Sequence, residues 1–81
     1  MKVLDVGCGD KQQCHTIFPD AKIITLDIDP ETKPDVVADI TEPLQFKDKF
    51  DVVFMSHVIE HIPRLQVVPT LQNVAAVLQR Q

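Results

Sequence analysis

Val3-Leu4-Asp5-Val6 runs directly into Gly7-Cys8-Gly9-Asp10, and this junction constrains the fold more than any other stretch of the chain. A short apolar run closed by glycine reads as a buried strand ending in a tight turn. Gly7 and Gly9 can take φ > 0 and let backbone approach a ligand with no Cβ in the way. Lys11 to Phe18 has helical composition, with Asp10 and Gln13 spaced as a capping box and Pro19 as the stop. Strand, glycine turn and helix open a nucleotide-binding βαβ unit.

The rest of the chain repeats the alternation. Ala21–Ile28 is rich in β-branched residues and predicts a second strand, closed by Asp27 and Asp29. Pro30 to Pro34 suits a turn or a single helical turn. Val36-Val37-Ala38 predicts a brief third strand before Asp39, and Thr41 to Lys49 a loop. Phe50 to Met55 is apolar enough to predict a fourth strand buried on both faces. His57 to Ile62 predicts about one helical turn, broken by Pro63. Val67, Val68, Leu71, Val74, Ala75 and Leu78 then form a helical stripe, with Pro69 tolerable only in the first turn. The expected architecture is one α/β domain over residues 1–81, a Rossmann-like open parallel sheet of about four strands in the order 3-2-1-4, with flanking helices.

Composition narrows the partners. The chain has 81 residues, 44% hydrophobic and 25% charged, with a net charge of −4, an ordinary globular balance that argues against holding nucleic acid by its phosphates. No apolar run approaches the ~18 residues of a membrane span, and the first residues read as strand rather than leader, so a cytoplasmic location is expected. Cys8 and Cys14 are then expected as free thiols. His57 and His61 are four apart with Glu60 beside the second, but a clear third metal ligand is missing, so no metal is expected. A general-base role for either histidine stands beside the plainer one, in which Glu60 and His61 cap and orient the turn.

Acids stand at or near the ends of successive strands: Asp5 within the first, Asp27 after the second and Asp39 after the third. Asp often serves only as a turn former or helix cap. Outside the carboxyl ends of an open parallel sheet, however, is where ligands bind. Asp27, 20 positions after Gly7, is placed to accept both hydroxyls of a ribose diol. A dinucleotide fingerprint requires Gly-x-Gly-x-x-Gly with pyrophosphate on the helix N-terminus. Here Gln12 stands at the third glycine and Asp10 puts a carboxylate where pyrophosphate would lie, at a cost in like-charge repulsion. A nicotinamide-dependent oxidoreductase is therefore disfavoured, and a phosphate-free ligand with a positive centre is favoured.

These segments resemble the class I S-adenosylmethionine-dependent methyltransferases. Asp5-Val6-Gly7-Cys8-Gly9-Asp10 is similar to the family's first motif, and LDIDP at 26–30, ADI at 38–40 and FDVVFMSHVIEHI at 50–62 follow in the family's order. The resemblance is to the small-molecule branch and covers its N-terminal, cofactor-binding half. It implies that Asp5, Gly7, Cys8 and Gly9 form the loop under the methionine part of S-adenosyl-L-methionine. It implies further that Asp27 binds the ribose, Ile28 lies against the adenine, and Asp39 reaches the adenine amino group beside the Ile40 backbone. Ser56 and His57 would floor the site beneath the sulfonium. Methyl transfer to a small-molecule acceptor by direct displacement is the implied reaction.

Two departures accompany the likeness. Lys11 stands where the family often has a third glycine, which loosens the loop without abolishing binding. The family's sheet has seven strands, so the expected fold is truncated relative to it, lacking the part that carries much of the acceptor pocket. An open edge along Val52 to Met55 and a bare face of the last helix are expected to result, inviting self-association. A non-catalytic cofactor-binding or interaction module of the same fold is the alternative function.

Overall fold

A computed structural model describes residues 1–7, 17–55 and 58–78. Among the described residues, four parallel strands form one sheet: β1 (Lys2–Val6), β2 (Lys22–Asp27), β3 (Val36–Val37) and β4 (Val52–Met55), in the spatial order β3-β2-β1-β4. This is the expected order. β1 and β2 lie at the centre, and β1 is closed in on both faces: Val3, Leu4, Asp5 and Val6 are all buried. That is why its apolar run is continuous rather than alternating.

The remaining elements are short. Asp29 caps a 3₁₀ turn over Pro30–Thr32, its carboxylate accepting from the Glu31 amide at 2.9 Å. Asp35 staples the next segment to β2. Its Oδ2 accepts from the Thr25 amide at 2.9 Å and hydroxyl at 3.1 Å, while its own amide donates to the Thr25 hydroxyl oxygen at 2.8 Å. After β4 come 3₁₀ turns at Ile59–His61 and Arg64–Gln66, then helix α1 (Val67–Val77). Pro69 falls in the first turn of α1, where its missing N–H costs nothing. The helix expected over 11–18, with its Asp10–Gln13 cap, lies largely outside the described residues, as do both cysteines.

The N-terminal pole of the sheet is closed by its own contacts. Phe50 is fully buried, its ring edge-on to Phe46 at 5.0 Å, and the Lys2 ammonium lies 5.0 Å from the Phe50 centroid. The Phe50 amide donates to the Val77 carbonyl and the Asp51 amide to the Lys2 carbonyl, each at 2.8 Å. The Lys49 ammonium donates to the Ala76 carbonyl, placing a cation at the negative end of α1. Burying a residue such as Leu4, Leu26 or Phe50 contributes about 1.5–3 kcal/mol each.

Two expectations are corrected. β4 is half-buried along its length rather than buried on both faces, because the order makes it an edge strand. Of the stripe expected through Val67, Val68, Leu71, Val74, Ala75 and Leu78, Val74 is buried and Val67 and Leu78 half-buried, while the rest of the buried face is supplied by Thr70 and Val77. Val68 (63% exposed) and Leu71 (47% exposed) point outward. Thr70 can occupy the core because its hydroxyl donates to the Gln66 carbonyl at 2.7 Å, so it brings no unpaired polar group inside. The parallel bridge between Phe50 and Leu78 pins the far end of the helix in the same rotation.

Candidate functional site

The carboxyl ends of β1 and β2 and the segment after β3 open onto a cleft of about 440 Å³. Its floor is built first by β1. Val6 is buried, and Gly7 turns away with φ +70°, its amide donating to the Leu26 carbonyl at 2.8 Å. That bond draws the glycine turn against the end of β2. A Cβ added at Gly7 would lie 2.5 Å from Cγ2 of Val58, so the position requires glycine on conformational and steric grounds together.

Asp27 ends β2 and lines the cleft. Its Oδ1 accepts from the Asp29 amide at 3.0 Å, a local turn that fixes the carboxylate's direction. Ile28 follows on the rim, 65% exposed. The Asp27 carbonyl accepts from the Ala38 amide at 3.1 Å, tying the strand end to the segment that carries Asp39. Asp39, Ile40 and Thr41 form the next part of the wall. One oxygen of Asp39, Oδ1, accepts both the Thr41 hydroxyl at 2.7 Å and the Thr41 amide at 2.9 Å. Those two donors, the hydroxyl first, hold the Asp39 carboxyl below the usual carboxylate range, against a smaller opposing effect of burial. The facing wall comes from Val58, His61, Ile62, Pro63 and Gln66.

Gly7, Asp27, Ile28, Asp39 and Ile40, named from the sequence, are thus brought to one cleft. Asp5 is not among its lining residues; it is buried within β1, one position before Val6 (5% exposed). Cys8, Gly9, Ser56 and His57 lie outside the described residues. Sequence reasoning missed Thr41, although Asp-x-Thr after a strand is a spacing that lets a hydroxyl and an amide share one carboxylate. It also missed the wall from Val58 to Gln66, in which the sequence offers His61 as a cap, a base or a metal ligand but not as a lining residue. Among the described residues, no group of His, Cys, Asp and Glu is clustered to hold a metal ion, and no helix is long and apolar enough to cross a membrane.

An open parallel sheet with a glycine turn and carboxylates along its carboxyl edge belongs to the Rossmann-like class of fold, in which ligands bind outside the strand ends. The methyltransferase domain family matches residues 4–81, and the chain belongs to that family. Among solved structures it is similar to SAM-bound CalS10, an amino pentose methyltransferase from Micromonospora echinaspora involved in calicheamicin biosynthesis, with a TM-score of 0.80 at 19% identity. That match covers 96% of this chain and 38% of CalS10, so the chain spans well under half of the longer protein. No curated protein matches the sequence.

Proposed function

We infer that the chain is the S-adenosylmethionine-binding portion of a methyltransferase whose acceptor is a small molecule. The observation that carries this reading is the joint placement of Asp27, Asp39 and Gly7 on one cleft, two carboxylates flanking a turn that cannot accommodate a Cβ. Family membership and the SAM-bound state of the similar methyltransferase support it.

The residues fit an adenosyl group. The cleft is lined mainly by apolar side chains, as small-molecule sites are, with a few polar groups to fix orientation. Asp27 can accept both ribose hydroxyls, and Asp39 keeps its second oxygen for the adenine amino group because Thr41 occupies the first. Ile28 offers exposed apolar surface for the base to cover, and the Ile40 backbone lies beside Asp39. Gly7, with Cys8 and Gly9, is assigned to the methionine end, Asp5 standing behind that turn, buried within β1, and Ser56 and His57 to the floor below the sulfur. Such a cofactor supplies an activated methyl group on sulfonium sulfur, passed by direct displacement to an acceptor nucleophile. The chain's own contribution is to hold the adenosyl group in one orientation, the geometric control from which most of the acceleration of such a displacement arises.

Calorimetric titration with S-adenosylmethionine, S-adenosylhomocysteine and NAD tests the reading. Binding of the first two with no NAD binding is expected, and Asp27→Ala should weaken it at least tenfold; unchanged affinity in that variant would remove the site assignment. Because the chain spans only 38% of CalS10, a second reading keeps cofactor binding without catalysis. A mass-spectrometric acceptor screen on a longer chain separates the two.

A further inference from the structure

Asn73 sits on α1, 33 residues from the cleft's base-reading edge, yet its side-chain amide donates to the Ile40 carbonyl at 3.1 Å. The Ile40 carbonyl and the Thr41 amide belong to a single peptide unit. Its N–H end is held by Asp39 Oδ1 at 2.9 Å, and its carbonyl end by Asn73. A planar peptide gripped at both ends has little freedom to rotate. The segment that carries Asp39 and Ile40 is therefore fixed from two directions, locally by its own turn and remotely by the helix.

We propose that Asn73 is a specificity-positioning residue: through the 40–41 peptide it sets the Asp39 carboxylate and Ile40 backbone in register for a 6-aminopurine. It touches no ligand itself; it is not among the residues lining the cleft. The inference rests on the cofactor reading and adds to it the source of the purine preference. The plain alternative is that Asn73 merely fastens α1 to the sheet, in which case every ligand of the cleft would feel its loss alike.

The two are separated by the ratio of affinities for S-adenosylhomocysteine and S-inosylhomocysteine, whose base carries a 6-oxo group in place of the amino group. Wild-type chain is expected to prefer the adenosyl ligand. Asn73→Leu keeps the size and raises helix propensity, and Asn73→Asp keeps the shape; both remove the amide donor. Each should weaken S-adenosylhomocysteine about threefold to tenfold and leave S-inosylhomocysteine nearly unchanged, so the preference shrinks. Asn73→Gln, which retains a donor, should recover part of it. A preference unchanged in both N73L and N73D, or equal losses for the two ligands, overturns the proposal while leaving cofactor binding intact. Wild-type chain that binds neither ligand instead overturns the cofactor reading, and this inference with it. Thermal melts of the same variants check that the fold is kept.

Discussion

Gly7 and Val58 approach so closely that a single methyl group on the glycine would sit 2.5 Å from Cγ2 of the valine. The contact joins the turn after β1 to the segment after β4, the two sides between which the cleft opens. Gly7→Ala is expected to lower stability by about 1–3 kcal/mol, partly from φ +70° and partly from the clash. Adding Val58→Ala should relieve only the steric part. A double-mutant cycle by thermal or urea unfolding reads the difference; full additivity would mean the two residues do not meet.

Thr41→Val removes the hydroxyl that contributes most to holding down the Asp39 carboxyl, leaving only the backbone amide. A carboxylate with a lowered folded-state pKa contributes stability above its unfolded value and loses it as pH falls through the folded value. In the valine variant the Asp39 pKa should rise toward its ordinary value, so the loss on acidification, which starts at the unfolded-state value in both proteins, should be smaller and should be complete at higher pH. At neutral pH the lost hydrogen bond should cost about 1 kcal/mol. Carbon-detected NMR titration of the Asp39 carboxyl, with acid unfolding alongside, checks both parts.

The rotation of α1 makes opposite forecasts for neighbouring residues. Leu71 is half-exposed and Val74 buried. Leu71→Lys should change stability by no more than about 0.5 kcal/mol, whereas Val74→Ala should cost about 1–3 kcal/mol through the cavity it leaves. Urea denaturation measures each, and a costly Leu71→Lys would restore the stripe expected from spacing alone.

Asp27→Asn keeps a side-chain oxygen for the Asp29 amide but replaces the other oxygen with a donor. The turn should survive, and affinity for S-adenosylhomocysteine should fall about tenfold. A 2′-deoxy analogue should lose less on the same substitution, because it presents one hydroxyl fewer. Calorimetry on the four combinations provides the comparison.

The strands, their order and the carboxylates at their ends were legible because each is written locally. Apolar runs end in Gly7, Asp27 and Asp39, and a parallel sheet places such ends on one side. What was not legible depends on partners distant in the chain. Nothing near Thr70 announces that a threonine goes inward while Leu71 stays out; that follows from the Phe50–Leu78 bridge, which fixes the rotation of α1 from across the chain. β4 has the composition of a core strand, and only its place at the sheet's margin leaves it half-covered. The cleft wall from Val58 to Gln66 is made of short 3₁₀ turns, which carry little periodicity. Asn73 is a single polar residue on a helix, and its partner is known only once Ile40 is seen beside it.

The Lys2, Asp48 and Phe50 cluster closes the pole of the sheet farthest from Gly7 and Asp27. Asp48 is exposed there, and its ion pair with Lys2 is a surface contact worth at most about 1 kcal/mol. In a chain whose Cys8 and Cys14 have been replaced, a cysteine introduced at that position carries a fluorophore or an immobilising tether, leaving the opposite mouth open to solution. Ligand arrival at one extremity can then be followed from a label fixed at the other.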